Sequence, residues 1–484
     1  MTASSSNPAV YQPLPQAPDV SDNILDEEEV TELESVESSH IDKRIWWIHF
    51  IFGCAVLLPW NVVVTATPYF YSQLSGSSLR SSFSSYLSIT FTVANFLFLA
   101  HATLTSHQSS PSRRISVSTA WLAVLVGLLT LSTTTSFSPG LFFSFVLLNG
   151  ILQAGAGSYL QTAVVAVASL FGSATMQAVM AGQAFVGVVV SAVQLLSAVA
   201  SVRASASARE ANLKYDEGAA EARAAALSFG LSTLFLCVTI GTQSWLVRMP
   251  EYKAVMRPIE HAKRDDQGTH NGILQEKGRI LRVAKANFEF EIAVGYVFAV
   301  TLAVFPPITA SVQPTDPTSF HPLIFTAIHF LLFNLGDLTG RYLCSVPRLL
   351  TWSSRRLLIL SLVRTLFIPL FLLCNVQRPS SLPTVPEVPA NLTATISITR
   401  SSIGSDTFFF LLLLFFGLSN GYVSSMCMIA APNVTHNPRL RGKREDVDIA
   451  ATVASFCLVG GLALGAAASF VVRAQVCGCN PFIE

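Results

Sequence analysis

Residues 321–345 read HPLIFTAIHFLLFNLGDLTGRYLCS, an apolar run that contains one carboxylate, Asp337, and one guanidinium, Arg341. About 20 residues of α-helix cross the hydrocarbon core of a bilayer, so this run is long enough to span it. Residues spaced i and i+4 lie on the same helix face. A single charge at the bilayer centre costs about 2.5–3.5 kcal/mol, so the pair must face protein or water. The stretch therefore predicts a helix inside a multi-helix membrane bundle.

The composition of the whole chain indicates the same class. Of its 484 residues 51% are hydrophobic and only 12% are charged, with a mean hydropathy of +0.52, a balance that a water-soluble protein does not need. The formal net charge of +1 gives no basic field that would attract nucleic acid. Most of the eight cysteines lie in apolar runs, which argues against a disulfide framework, and Cys477-Gly478-Cys479 lacks the further ligands of a metal site. We expect no metal, no other cofactor and no nucleic-acid partner.

Eleven apolar runs predict an all-α integral membrane protein. With a cytosolic N-terminus, twenty of the 30 Lys and Arg residues fall on the cytosolic side, as the positive-inside rule requires. Eleven spans then place the C-terminus on the lumenal or extracellular side. The longest polar connection separates six spans from five, which resembles the two-bundle plan of major-facilitator-like transporters. The predicted spans are 45–66, 84–103, 115–136, 141–170, 174–200, 224–247, 287–310, 321–345, 356–376, 406–431 and 448–472.

Five segments follow from this pattern. They are an acidic, disordered cytosolic tail (1–42), an N-terminal six-helix bundle (43–247), a basic cytosolic loop (248–286), a C-terminal five-helix bundle (287–476) and a short non-cytosolic tail (477–484).

Polar groups at membrane depth need an explanation, because their desolvation must be offset. Asn334 shares a helix face with Asp337 and Arg341. Two interpretations remain open: an internal ion pair that holds helices together, or the wall of a solute path. Both roles can coexist.

Other spans carry further candidate polar residues. Trp60 and Asn61 follow a proline that interrupts the helical hydrogen bonds, and the indole face suits a flat ligand. Gln161 offers the donor and the acceptor that the edge of a nucleobase requires. Asn420 is a candidate cavity residue of the tenth span. Arg364, in the ninth span, is expected to extend toward the cytosol.

Several motifs occur together in the order typical of one family, the equilibrative nucleoside transporters. The chain resembles this family through most of its membrane segments. The motifs are Pro59-Trp60-Asn61 with Thr65-Ala66 and Tyr69-Phe70, Gln161, Met180-Ala181-Gly182-Gln183, Phe333-Asn334 with Asp337 and Gly340-Arg341, Ser419-Asn420-Gly421-Tyr422 with Cys427, and Gly461-Leu462-Ala463-Leu464-Gly465.

The resemblance implies a major-facilitator-like fold of six plus five helices and alternating access for purine and pyrimidine nucleosides. It also implies that Trp60 and Gln161 contact the nucleobase, while Asp337 and Arg341 hold the ribose hydroxyls. A carboxylate accepts hydrogen bonds from sugar hydroxyls and a guanidinium donates to sugar or ring oxygens, which agrees with these roles. A further expectation carried over from the family is a gate.

The expected gate is an ion pair between Arg114 and Asp448 that closes the inward side.

The chain departs from animal members of the family in the run 62–64, which is all valine, so their selectivity is not carried over. The acidic tail is similar to the fungal branch, which includes vacuolar transporters. We therefore expect a vacuolar or other endomembrane location, with the plasma membrane as the alternative. Asn391, in a sequon on the non-cytosolic side, is a predicted glycosylation site.

Other functions remain as alternatives. One is a facilitator of the same architecture for a nucleobase, a sugar or a drug. Another is an integral membrane enzyme, although no clustered Asp or His motif supports it. We expect a carrier without enzymatic activity that works as a monomer in the bilayer on a nucleoside substrate. Asp337 is either a proton-coupled switch or a permanently charged ligand holder, so transport is either facilitative or linked to protons.

Overall fold

The computed structural model describes residues 42–80, 82–106, 109–135, 137–211, 217–257, 272–316, 321–375 and 405–477. The helices of this part all belong to one unit, Ile41–Glu484. A second unit, Met1–His40, lies outside the described residues and includes nearly all of the predicted tail. Asn391 also lies outside them, so its glycosylation stays a prediction.

Within these ranges, ten helices are long and apolar enough to cross a membrane. We number the helices α1 to α11 in chain order, with α9 in two pieces. Their bounds are α1 Lys43–Thr65, α2 Phe83–Leu104, α3 Pro111–Ser132, α4 Pro139–Leu170, α5 Ser173–Ala211, α6 Glu217–Leu246, α7 Gly272–Val304, α8 Pro322–Leu343, α9 Ser354–Val363 with Phe367–Leu372, α10 Asp406–Ala430 and α11 Val447–Cys477.

The ninth predicted span, α9, is interrupted. A 3-10 turn, Arg364–Leu366, separates its two pieces. Pro369 accounts for the break, because proline has no N–H to donate to the carbonyl four residues earlier and its ring crowds that carbonyl. This helix is therefore not among the ten, and the count of eleven spans stays a prediction.

Helix α7 differs from its predicted span at both ends. It begins at Gly272, so the last part of the segment predicted as a basic loop is helical. It ends at Val304, just before Pro306-Pro307, because consecutive prolines cannot continue the helical hydrogen bonds. Several ion pairs attach the α10–α11 connection to this helix. The shortest are Arg279 Nε to Asp446 Oδ1 at 2.8 Å and Arg439 Nη2 to Glu289 Oε2 at 2.6 Å.

The helices pack as two groups. Among the first six, α1 packs on α5, α2 on α4, and α3 on both α4 and α6. Among the last five, α7 packs on α11, α9 and α10, and α8 packs on α10. Contacts between the groups run mainly through α5 with α8, and through α11 with α2 and α4. This arrangement places α5, α8, α10 and α11 where the two groups meet.

The outer surface of the helices is apolar. Leu196, Leu227 and Leu464 are 70%, 68% and 69% exposed, respectively. Large exposed apolar surfaces are rare on soluble monomers and typical of membrane contact. The polar side chains described below are buried between helices instead, which is the arrangement expected when lipid surrounds the protein.

Helices α8 and α10 approach each other through glycine. Gly336 and Gly340 of α8 face the carbonyls of Leu414 and Leu418, and Gly417 and Gly421 of α10 face those of Phe333 and Asp337; a Cβ atom at any of the four would overlap the opposing backbone. Glycines four residues apart are the usual means by which membrane helices come into backbone contact. This crossing holds Asp337 directly against α10.

Prediction for the crossing. Gly421→Ala should lower the stability of the purified protein, because its Cβ would overlap the Asp337 carbonyl oxygen and overpacking costs about 1–3 kcal/mol. The midpoint of thermal unfolding in detergent measures the effect. Gly241→Ala is the matched control, because a Cβ at this exposed position of α6 meets nothing within 4 Å. Equal midpoints for the two variants would contradict the proposed close packing.

Candidate functional site

A buried ion pair forms the centre of the candidate site. Asp337 and Arg341 are only 5% and 4% exposed, and Arg341 Nε donates to Asp337 Oδ2 at 2.9 Å. The spacing of four residues on α8 brings the two groups together. Arg341 Nη1 also donates to the carbonyl oxygen of Met180 on α5, at 3.0 Å. The pair thus joins a helix of the first group to a helix of the second.

Asn420 extends this pair into α10. Its Nδ2 donates to the second carboxylate oxygen, Asp337 Oδ1, at 2.6 Å. Its Oδ1 accepts a hydrogen bond from Thr301 Oγ1 of α7, at 2.7 Å. Both oxygens of the carboxylate therefore have donors, and Asn420 connects Asp337 to a third helix.

Arg364 is the unexpected member of this group. The prediction that it extends toward the cytosol is wrong, because it is 1% exposed and lies in the 3-10 turn that interrupts α9. Its Nη2 donates to Thr301 Oγ1 at 2.7 Å and to Asn420 Oδ1 at 3.4 Å. Its Nη1 donates to the Phe416 carbonyl at 3.0 Å and to the Ser419 hydroxyl. The guanidinium also lies over the Phe416 ring, 4.6 Å from the ring centroid, a favourable cation–π geometry.

Together these five side chains form what we call the buried polar cluster: Thr301, Asp337, Arg341, Arg364 and Asn420. It contains two guanidinium groups and one carboxylate, so its formal charge is positive. An excess of buried positive charge suits a ligand rich in oxygen acceptors. Within the described ranges, no three His, Cys, Asp or Glu side chains are grouped as metal ligands.

Asn334 lies one turn before Asp337 and also bridges to α5. Its Nδ2 donates to the hydroxyl of Ser191 at 2.7 Å and to the Phe330 carbonyl of its own helix at 3.0 Å. Gln177, near the start of α5, donates to the carbonyl of Arg341 at 3.3 Å. The α5–α8 contact is therefore built from polar groups along much of its length.

Gln161 makes the second polar connection between the two groups of helices. Its Nε2 donates to Ser455 Oγ of α11 at 2.9 Å, and Ser455 is 1% exposed. Next to it, Phe96 of α2 stacks on Phe456 with ring centroids 5.3 Å apart. In this conformation the amide predicted to read a nucleobase is bonded to a protein hydroxyl.

Trp60 and Asn61 make their described contacts outside the buried polar cluster. The indole of Trp60 stacks on Phe91 of α2, with ring centroids 3.8 Å apart and planes 19° from parallel. Asn61 Nδ2 donates to the Leu57 carbonyl of its own helix at 2.9 Å. Of the seven predicted substrate-binding residues, the structure thus unites Asp337, Arg341 and Asn420 directly and places Asn334 one helical turn from them.

The two predicted gating residues line one small cavity between α3, α4 and α11. Its other lining residues include Thr162 and Thr452. The Arg114 guanidinium donates to the Ser109 hydroxyl at 2.6 Å and the Ala102 carbonyl at 2.9 Å, and to Thr105. Asp448 Oδ1 accepts from the Ile449 backbone N–H at 3.0 Å. The ion pair itself stays a prediction.

The sequence interpretation missed several partners of the candidate residues. Arg364 offered the same signal as Asp337, an ionisable group within an apolar run. Thr301, Ser191 and Ser455 offered none, because hydroxyl residues are common in membrane helices, where they bond to their own backbone. Only the packing identifies these hydroxyls as partners.

Comparison with known proteins identifies the family. A sequence model described as "Nucleoside transporter" matches residues 149–474, more than half of the chain. The chain belongs to the nucleoside transporter family. Equilibrative nucleoside transporter 1 of Rattus norvegicus is 27% identical over 482 residues, covering 90% of this chain and 98% of the relative. Nucleoside transporter FUN26 of Saccharomyces cerevisiae is 25% identical over 484 residues, covering 93% and 89%. This confirms the predicted family.

The fold is also found among solved structures. The fucose:proton symporter FucP of E. coli matches with a TM-score of 0.52 and 13% identity, covering 90% of this chain and 94% of that one. At this identity the likeness concerns the fold alone. It confirms the predicted all-α, major-facilitator-like architecture, and the family match to transporters confirms that the chain is not an enzyme.

Prediction for the buried polar cluster. Asn420→Leu should lower the thermal midpoint in detergent, because it leaves Asp337 Oδ1 without its donor and removes the Asn420 Oδ1 acceptor of Thr301 and Arg364. Each buried polar group left unpaired costs about 1–3 kcal/mol. Ser425→Ala is the matched control on the same helix, since the buried Ser425 hydroxyl has no hydrogen-bond partner in the described structure. A loss in Ser425→Ala as large as in Asn420→Leu would show that the cluster adds nothing specific.

Proposed function

We propose that this protein carries nucleosides across a membrane by alternating access, with the buried polar cluster as part of its substrate site. One observation carries the proposal. In a chain of the nucleoside transporter family, a buried ion pair lies where α5 of the first helix group meets α8 of the second. Transporters place their sites at such a meeting of two halves near the midplane.

The chemistry of the candidate residues fits a nucleoside. A carboxylate accepts hydrogen bonds from two vicinal hydroxyls, and the Arg341 guanidinium donates to sugar or ring oxygens. An indole face such as that of Trp60 stacks on a flat heterocycle, and the amide of Gln161 matches the edge of a base. We assign the ribose to Asp337 and Arg341 and the base to Trp60 and Gln161. The amides of Asn61, Asn334 and Asn420 complete the proposed site.

The contacts between the two helix groups support alternating access. Gln177 lies four residues after α5 begins, and Arg341 lies two residues before α8 ends; sequence analysis places both of these helix ends at the cytosol. Gln161–Ser455 lies in the corresponding half of α4 and α11. These bonds close the predicted cytosolic side in this conformation. Opening that side to release a substrate requires breaking them, and each is a single neutral or charge-assisted hydrogen bond worth about 0.5–3 kcal/mol net.

We further propose an endomembrane location, with the vacuolar membrane favoured over the plasma membrane. The N-terminus is then cytosolic and the C-terminus lumenal. The acidic tail and the distribution of Lys and Arg support this placement. A fluorescent fusion at each terminus, combined with protease protection, tests both location and orientation. We also propose that the protein functions as a monomer.

The function is tested by uptake of labelled nucleoside into proteoliposomes. Unlabelled purine and pyrimidine nucleosides should compete with the label, while a free nucleobase or a sugar should not. Uptake with and without an imposed pH gradient distinguishes facilitative from proton-linked transport. Absence of nucleoside uptake, together with uptake of a labelled sugar or nucleobase, would replace this proposal with a facilitator for another solute.

Prediction for the carboxylate. Asp337→Asn should lose most nucleoside uptake while the protein still inserts, because an amide replaces one acceptor with a donor and removes the negative partner of Arg341. Uptake normalised to the amount of reconstituted protein measures this loss. Thr339→Ala is the control on the same helix, since Thr339 is exposed and its hydroxyl donates only to its own helix. Near-normal uptake by Asp337→Asn would rule out a substrate role.

Prediction for the gate. If Arg114 and Asp448 attract each other across the cavity that they line, Arg114→Glu and Asp448→Lys should each reduce uptake severalfold, and the double variant should recover part of it. Arg113→Glu is the control, because Arg113 is the exposed neighbour of the buried Arg114. Unchanged uptake in both single reversals would eliminate the gate.

A further inference from the structure

The basic side chains near the beginnings of α7 and α9 divide into paired and unpaired groups. Arg279 and Arg282 of α7 both contact the carboxylate of Asp446, and Arg439 contacts Glu289 of α7. These two acidic residues therefore neutralise other cations. Three exposed cations of the same region make no ion pair and no side-chain hydrogen bond within the described residues, namely Lys285 of α7 and Arg355 and Arg356 of α9.

The start of α9 is attached to α7 close to these unpaired cations. The Ser354 hydroxyl donates to Glu289 Oε2 of α7, and Arg355, the next residue, lies within electrostatic range of that carboxylate. Further along both helices, the hydroxyl oxygens of Tyr296 and Thr365 are 2.7 Å apart. The earlier residue of α7 thus pairs with the earlier residue of α9, so the two helices run in the same direction.

This common direction places the three unpaired cations at one end of the α7–α9 contact. Lys285 lies four residues before Glu289, which is about 6 Å along the axis of α7. Arg355 and Arg356 lie one and two residues after Ser354, which is about 1.5–3 Å along the axis of α9. Their Cα atoms are therefore spread over about 9 Å along the helices, a distance that the long side chains of Lys and Arg can bridge within one headgroup layer.

The exposed surface beyond these cations is apolar on both helices. Phe288 is 50% exposed and lies three residues after Lys285, on the same face of α7. Ile359 and Leu360 of α9 are 59% and 40% exposed, and each lies four residues after one of the two arginines. In a membrane-spanning bundle such side chains contact lipid tails. The charged groups therefore lie where lipid headgroups meet the protein.

We propose that Lys285, Arg355 and Arg356 bind the headgroup of an anionic phospholipid at the α7–α9 contact. Charge complementarity selects the headgroup, because phosphate oxygens accept hydrogen bonds from guanidinium and ammonium groups. Basic groups between membrane helices are a recognised type of site for anionic lipids. The exposed Phe288 and Ile359 favour a lipid over a soluble anion, because they contact its acyl chains. This site is separate from the buried polar cluster and does not depend on which solute the protein carries.

The test measures the binding of single phospholipids to the purified protein in detergent by native mass spectrometry. Dioleoylphosphatidylserine should bind wild type at least about tenfold more tightly than dioleoylphosphatidylcholine, which has the same acyl chains and no net charge. The triple variant Lys285→Gln/Arg355→Gln/Arg356→Gln should lose this preference, because each basic residue near an anionic lipid contributes about fivefold to binding.

The matched control removes three exposed cations from the first helix group, on the side that the sequence analysis places at the cytosol. It is the triple variant Arg113→Gln/Arg248→Gln/Lys253→Gln, which has the same net charge as the first triple variant. This control should keep the preference for phosphatidylserine. Glycerophosphoserine, the same headgroup without acyl chains, should not displace the bound lipid at an equal concentration.

Several results would overturn the inference. Equal binding of the two lipids by wild type is one, and an unchanged preference in the first triple variant is another. An equal loss in both triple variants would show only general attraction to basic surfaces, and displacement by glycerophosphoserine would indicate a site for a soluble anion. If the first triple variant does not fold, Lys285→Gln and Arg356→Gln should each weaken phosphatidylserine binding about fivefold, and no change in either contradicts the site. Absence of nucleoside uptake would contradict the proposed function without affecting this result.

Discussion

The close contact between α8 and α10 is the constraint on which the rest of the site depends. Glycines on both helices remove the side chains that would separate the backbones, so Asp337 and Asn420 meet at 2.6 Å. A wider crossing would leave the carboxylate with one donor and a lipid-like environment on its other side, a state that is costly for a buried charge. Backbone packing and the pairing of this carboxylate are therefore linked, because the glycines let Asn420 reach its second oxygen.

The sequence predicts contacts within one helix well, and contacts between helices poorly. Apolar length located the spans, since hydrophobic thickness acts on each helix separately. The Asp337–Arg341 pair was predictable because both residues lie on one helix, four positions apart. Asn420 was recognised as a candidate, but its partners were not, because they lie on other helices. The predicted direction of Arg364 is wrong, since the long arginine side chain of a membrane helix usually extends to the membrane surface, whereas the turn at Arg364–Leu366 leaves it buried.

The break in α9 explains why Arg364 is buried and does not extend to the membrane surface. Pro369 interrupts the helical hydrogen bonds next to the turn, and a 3-10 turn orients its side chains differently from a continuous α-helix. Arg364 consequently reaches Thr301 and Asn420 rather than the lipid surface. The turn that interrupts α9 thus places Arg364, the second positive charge, in the buried polar cluster.

The polar contacts of the site differ in whether they cross between the two helix groups. The bonds of Asn420 and Arg364 lie entirely within the second group, on α7, α8, α9 and α10, so they persist when the groups move relative to each other. The bonds of Arg341 to Met180, of Asn334 to Ser191 and of Gln161 to Ser455 cross between the groups and must break in such a movement. Three of the seven residues that we assign to the substrate, namely Gln161, Asn334 and Arg341, lose a protein partner then. A polar solute that replaces those partners lowers the cost of the movement, because groups that would otherwise be left unpaired in a dry environment keep a hydrogen bond. This provides a physical basis for coupling substrate occupancy to the change of access, while the hydrogen bonds within the second group continue to hold the Asp337 carboxylate.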